Sequence, residues 1–302
     1  MRSIEHPGEQ AVQERAGEGG PGWGSPMFGA SLSGGFAEFL QRQCMLFLSS
    51  EDEDGRMWTT TVAGRPGFAH AADHRTLLVD ALPAEGDALG TALRDGADVG
   101  ILALEPQTRR RIRVNGTVTR RDGGLAVRTE QVLGNCPKYL QVREVTAYDE
   151  TPPSAAVARE GLDALQRKWI ESADTFFIGS RSPEHGADAS HRGGEPGFVT
   201  VEDDVIRWPD YLGNSFYMTL GNIEVNPAAG LLFVDWETGA TLQLTGECRV
   251  DWDPAAAAAL PGALRVVEFT VRSVVQVDGA SPLRWRLLDR SRHNPPAACM
   301  VP

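Results

Sequence analysis

The chain reads GRPGF at residues 64–68 and GEPGF at residues 194–198, so one glycine-proline-glycine pattern occurs twice, 130 positions apart. Glycine reaches dihedrals closed to other residues and proline fixes one, which makes each pentapeptide a turn signal. The second copy sits in HRGGEPGF (191–198), where more glycine and a His-Arg pair leave two readings open. One is a plain turn. The other is a backbone lying against a ligand, with Arg192 facing an anion.

The same spacing, without a gap, pairs Ser50 with Ser180, Asp73 with Asp203, Asp80 with Asp210, Gly100 with Gly230, Leu102 with Leu232, Thr108 with Thr238 and Gly116 with Gly246. Internal repeats of this kind mark a duplicated structural unit. Residues 36–120 and 166–252 therefore read as two copies. Each reads as short strands: CMLFLSS (44–50) and DTFFIGS (174–180), TLLVD (76–80) and VIRWPD (205–210), VGILAL (99–104) and AGLLFV (229–234). RIRVNGTV (111–118) and TLQLTGEC (241–248) alternate strictly. RVVEFTVRSVVQV (265–277) reads as a long final strand. Helices are expected at 36–43, 125–135 and 162–172, and at the alanine run after Asp253-Pro254. The expected fold is mainly β, two tandem antiparallel barrels with few helices. The divisions are an extension at 1–35, a first copy with its following helix at 36–150, and a second copy at 151–302.

Net charge is −12, from 29 Lys and Arg against 41 Asp and Glu, which argues against a nucleic-acid partner. No stretch approaches the roughly 18–20 apolar residues of a membrane span, and the opening residues lack the apolar core of a signal peptide. A cytoplasmic protein with no membrane partner is expected. Cys44, Cys136, Cys248 and Cys299 are far apart with no CxxC, which argues against a disulfide framework or a zinc site. His70 and His74 have metal-like spacing, but the repeat places them in a hairpin, so no metal is expected.

The copies differ. The first has VAGRPGF and DALPAEGD where the second has RGGEPGF and DYLGNSFY. The second is the one expected to hold a ligand loop, WPDYLGNSFYMTLGNIEVNP (208–227), rich in Asn, Ser, Thr and Tyr beside glycine. A duplicated barrel also makes the cleft between copies the natural ligand site. An anionic ligand there needs a local basic pocket, and RRRIR (109–113) reads either as a solvated strand face or as the source of its cations.

The run from Ala189 through GLLFVDWETGATLQLTGECRVDW (230–252) resembles the FMN-binding split-barrel family related to pyridoxamine phosphate oxidase. HPGEQAVQERAG (6–17) and NCPKYLQVR (135–143) resemble segments of one branch of it. The resemblance implies split barrels with FMN held noncovalently between them, and an oxidoreductase acting on a small molecule with NADH or NADPH as reductant. Its alternative is a non-catalytic carrier of flavin, deazaflavin or haem. It implies Arg192, Gly193, Gly194, Pro196, Gly197 and Phe198 along the flavin ring. It puts Trp208, Pro209, Asp210, Tyr211, Asn214 and Thr219 by the ribityl chain and phosphate. Arg111 and Arg113 come from the opposite barrel, and Asn135 and Lys138 from a helix after it. Backbone donors near Gly194 and Gly197 are expected to face the reduced ring. His191 is the candidate proton donor. The oxidase's Arg-Lys phosphate pair is absent near Met218-Thr219, and its substrate arginine and histidine have only a weak echo in SPLRWRLLDR (281–290). A monomer with an internal pair, or a homodimer, is expected.

Overall fold

A computed structural model describes residues 4–296. Helices α1 (Pro7–Ala16) and α2 (Gly34–Gln41) precede seven strands: β1 (Met45–Glu51), β2 (Met57–Ala63), β3 (Ala69–Asp73), β4 (Thr76–Val79), β5 (Asp98–Glu105), β6 (Arg110–Arg121) and β7 (Gly124–Gly134). Strands β8 (Val142–Tyr148) and β9 (Val157–Arg159) lead to α3 (Ala164–Ser172). Then come β10 (Thr175–Ser182), β11 (Gly186–Gly193), β12 (Thr200–Glu202), β13 (Val205–Asp210), α4 (Met218–Val225), β14 (Ala228–Val234) and β15 (Thr241–Asp251). Helix α5 (Pro254–Ala258), β16 (Arg265–Val277) and β17 (Leu283–Asp289) follow.

The first sheet runs β2-β1-β5-β6-β7-β4-β3, and the second runs β11-β10-β14-β15-β16-β13-β12. These are the same order, strand for strand, and all the pairings are antiparallel. The edge strands of each sheet do not pair, yet both contribute to one core. Trp58 of β2 and Ala69 of β3 share a cluster with Leu46, Ile101, Val114 and Leu77. Each sheet is thus curled around its own apolar filling but open along one seam, a split barrel. The second barrel encloses Phe176, Ile178, Trp208, Phe233, Leu244 and Phe269. A third cluster lies between the two, where Phe47 of β1 stacks on Phe177 of β10 with ring centroids 3.5 Å apart.

The halves meet closely because two strands present glycine there. A Cβ on Gly100 of β5 would lie 2.4 Å from the Asp188 backbone of β11. One on Gly230 of β14 would lie 2.6 Å from the Met57 carbonyl of β2. Strands β8 and β17 form a separate ribbon, and β9 adds to β16.

The twice-repeated pentapeptide makes the same turn in both halves. Gly67 and Gly197 have φ of 101° and 89°, the left-handed side that glycine tolerates. Their N–H groups donate to Gln41 O and Glu171 O, the ends of α2 and α3. Gly64 and Gly194 pack beneath Phe68 and Phe198, each with room for no Cβ.

Two expectations need correction. Residues 125–135 are not a helix; nearly all belong to β7, which pairs with β6 on one side and β4 on the other. Their Leu, Ala, Arg, Glu and Gln favour a helix locally, but buried Leu125 and Val127 fill the barrel core, and tertiary pairing prevails. Asn135 and Lys138 therefore lie on the loop after β7, not on a helix. Cys44, Cys136 and Cys248 are free thiols, Cys248 buried; Cys299 lies outside the described residues. Among the described residues, no helix is long and apolar enough to cross a membrane.

Candidate functional site

A cavity of about 840 Å³, open solvent at its mouth included, lies between the halves. The first half supplies Arg111 and Arg113 of β6 and the loop Asn135, Cys136, Lys138 and Tyr139. The second supplies Ser190 to Gly193 of β11, Phe198, Pro209 to Tyr211, and the stretch from Gly213 into the first turn of α4. Alternation along β6 aims Arg111 and Arg113 to one side, while Ile112 and Val114 face the barrel core. The same alternation brings Ser190 and Arg192 together on β11. Gly193 is needed for closure: a Cβ there would lie 2.2 Å from Tyr139 O.

Three guanidinium groups converge. Arg113 is ion-paired across the halves, donating to Asp188 Oδ2 at 2.9 Å and to Ser190 Oγ at 2.7 Å. Arg192 donates to Ser190 Oγ at 2.6 Å and to His191 O at 3.0 Å. Arg111 donates through Nε to Cys136 O at 3.0 Å. Among the described residues, neither Arg111 nor Arg192 is ion-paired with a carboxylate. Burial pushes Arg111 down to about 9, with Arg113 and Arg192 adding repulsion. Burial also lowers Arg192. His191 is held well below its ordinary value, first by burial and then by Arg111, Arg192 and Arg143, so its ring is neutral. Asp210 is raised by burial despite Arg192 and Arg265 nearby.

The opposite wall is the start of α4, whose first N–H groups have no intrahelical partner. Thr219 there is buried, and its Oγ1 has no hydrogen-bond partner. Arg113 Nε and Asn135 Oδ1 are similarly unsatisfied. Phe198, Tyr139, Tyr211 and Phe216 give the cavity flat apolar surface; the Tyr139 and Tyr211 rings lie 5.1 Å apart. Half-buried guanidinium groups outside direct ion pairs, a helix start and orphaned polar atoms fit a phosphate, and the aromatic walls fit a planar ring attached to it.

Of the residues expected at a cofactor, the structure gathers Arg192, Gly193, Phe198, Pro209, Asp210, Tyr211, Asn214, Thr219, Arg111, Arg113, Asn135 and Lys138 around this one cavity, and His191, the candidate proton donor, adjoins it. It does not bring Gly194, Pro196, Gly197 or Trp208 to the wall. The three turn residues belong to the turn beyond β11. The Gly194 and Gly197 N–H groups, expected to face a ligand, instead donate to Asp174 O and Glu171 O. Trp208 is 1% exposed, edge-on to Phe176 in the barrel core. Ser190, Tyr139 and Met218 line the cavity without having been expected. Ser190 had a signal, lying two residues from Arg192 on one strand face.

The matching position in the other half is filled. By the 130-residue spacing, Gln243 stands where Arg113 would and Leu89 where Thr219 would. Gln243 Nε2 donates to Thr59 O at 3.0 Å and to Asp87 Oδ1 at 3.2 Å. Thr60 also donates to Asp87. Leu89 and Leu93 are fully buried.

No family model matches the chain, and no curated protein matches it. Solved structures match in part. HupZ of Group A Streptococcus is 13% identical over 41% of this chain and 98% of that one, with a TM-score of 0.31. A putative pyridoxamine 5'-phosphate oxidase of Lactobacillus delbrueckii is 16% identical over 38% and 98%, with a TM-score of 0.30. The FAD binding protein of Mycobacterium smegmatis is 14% identical over 40% and 98%, with a TM-score of 0.29.

Proposed function

We propose that the chain binds a phosphate-bearing aromatic cofactor in the cavity between its halves. The cofactor is FMN, and the protein is a flavin-dependent oxidoreductase acting on a small molecule. One observation carries this reading: both halves send guanidinium groups into one cavity, and among the described residues neither Arg111 nor Arg192 is held in a direct ion pair with a carboxylate. Arg111, Arg192, Thr219 and the start of α4 would hold the phosphate. Phe198, Tyr139 and Tyr211 would flank the ring. FMN, when bound, supplies the electron-transfer chemistry. The residues of the chain bind and orient it and limit water between the halves. His191 is neutral and lies on the β11 face opposite Ser190 and Arg192, with its ring edge-on to Phe177, so it supports the cavity wall.

Titration of the purified protein with FMN, read by flavin fluorescence, tests the reading. Saturable quenching at one equivalent, with reduction of the bound flavin by NADH or NADPH, is the expected result. Fluorescence identical to free FMN throughout would refute it.

A further inference from the structure

The N-terminal segment lies outside the cavity, yet it touches the cavity's α4 wall and the loop before it at several points along residues 6–28. Helix α1 is capped by His6, whose Nδ1 accepts from Glu9 N at 3.2 Å, and Pro7 opens its first turn. It crosses α4 at a glycine pair: a Cβ on Gly8 would lie 2.0 Å from Gly221 O, and one on Gly221 would lie 2.6 Å from Glu9 N. Beside this crossing His6 Nε2 meets Asn222 Oδ1 at 2.9 Å, and Asn222 Nδ2 donates to Ser180 Oγ at 3.0 Å. The His6 ring stacks on His185, with centroids 4.2 Å apart.

Past α1 the chain follows the loop that leads into α4. Gln13 Nε2 donates to Ser215 O at 3.2 Å and to Phe216 O at 3.3 Å. Trp23 Nε1 also donates to Ser215 O, at 3.1 Å. Glu18 accepts from Ser215 Oγ and from the Tyr217 hydroxyl. Phe216 is held between Trp23 and Phe28. Ser215 and Tyr217 have φ of 59° and 58°, which non-glycine residues adopt only under constraint. This segment itself is pinned by Glu9, whose carboxylate accepts from Ser25 N at 2.8 Å and Ser25 Oγ at 2.9 Å.

We infer that residues 6–28 form a positioning strap that sets the loop 213–217 and the start of α4 against the bound anion, with Gly8 and Glu9 as its positioning residues. None of them touches the ligand. The strap acts by holding two left-handed residues and one helix end where Thr219 lines the same cavity as Arg111 and Arg192. This rests on reading the cavity as an anion site, so the test has one arm that needs no ligand.

Gly8→Val wedges α1 off Gly221. Amide hydrogen exchange of residues 213–222 without ligand is expected to accelerate about tenfold or more, while β14–β16 in the same half keep their protection. FMN affinity is expected to fall about tenfold. Glu9→Ala should weaken affinity likewise, and Glu9→Gln, which keeps an acceptor for Ser25 N, should restore it to within about threefold. Unchanged exchange in 213–222, or FMN affinity equal to wild type in a folded Gly8→Val protein, would overturn the strap. If Gly8→Val does not fold, the Glu9 pair decides alone: equal affinity in Ala and Gln variants refutes it. Failure of the wild type to bind FMN would sink the cofactor reading, and the exchange measurement would still judge the strap.

Discussion

Replacing Arg111 by Met should make the empty protein more stable and the ligand-binding protein weaker. Burial and two neighbouring cations press this guanidinium down to about 9. Its folded pKa is depressed, so the folded state holds that proton less well than the unfolded chain. The penalty is full at pH 7, and it fades only as pH rises above about 9. At about 1.4 kcal/mol per pKa unit, the fall caps the penalty at roughly 5 kcal/mol. The cavity opens to solvent, where the effective dielectric is high, so a gain of about 1–3 kcal/mol is expected. Met keeps an apolar stem in place of the Arg chain. Loss of a charge-assisted contact should weaken FMN binding by about 1.5–3 kcal/mol, or roughly 10- to 150-fold. Urea denaturation at pH 7, with and without FMN, reads both effects. Without ligand the variant should unfold at higher urea. With excess FMN the wild type gains stability through binding and the order narrows or reverses. A variant that is less stable when empty, with affinity unchanged, would refute the reasoning. Arg111 would then be a strut that holds Cys136 O.

The duplicated turn predicts that Gly67→Ala and Gly197→Ala each lose about 1–2 kcal/mol in denaturant, since both glycines have left-handed dihedrals; a loss at only one would deny the shared turn. Burial raises Glu9 to about 7 from 4.5 and lowers His6 to about 4 from 6.5. Glu9 favours folding at low pH and loses that effect as pH rises from 4.5 through 7, while His6 favours it at high pH and loses it as pH falls from 6.5 through 4. The two oppose each other between 4.5 and 6.5. Glu9→Gln should expose the His6 slope, a rise of up to about 3 kcal/mol from pH 4 to 6.5 in urea midpoints; a flat profile in the variant would refute it. Leu89→Ala should cost about 2–5 kcal/mol by opening a void, and calorimetry should still find one FMN per chain; two equal sites in the wild type would contradict the filled half.

Some of this architecture is written locally and some is not. The turns at Gly67 and Gly197 are legible because only glycine sits easily at their dihedrals. The strand at 265–277 is legible because it is dense in Val and Thr, whose branched side chains favour a pleated strand over a helix. Residues 125–135 mislead, because Leu, Ala, Arg, Glu and Gln carry no local sign of strands on both sides. Helix α4 is hidden for the opposite reason. Its Gly221 weakens it locally and exists for the crossing with Gly8, and its N-cap Tyr217 is left-handed with no capping side chain. At the site, resemblance grouped Arg111, Arg113, Arg192 and Asp210, which the structure gathers round one cavity. It also grouped Gly194, Pro196 and Gly197, because sequence does not separate a strand end facing a cavity from the turn just beyond it. Ser190 was recoverable from strand alternation, whereas Tyr139 depends on how a loop folds over Gly193.

The cavity belongs to both halves of a single chain. In an assembly of two separate chains, such a site would exist only when the partners met, and dilution would dissolve it. Here each half sees the other at an effective concentration fixed by the covalent connection. Ligand affinity should therefore be independent of protein concentration. The arrangement also removes the need for symmetry. Two identical chains would have to keep two identical clefts, but a joined pair is free to keep Arg113 on one side and pack Gln243, Asp87 and Leu89 into the other.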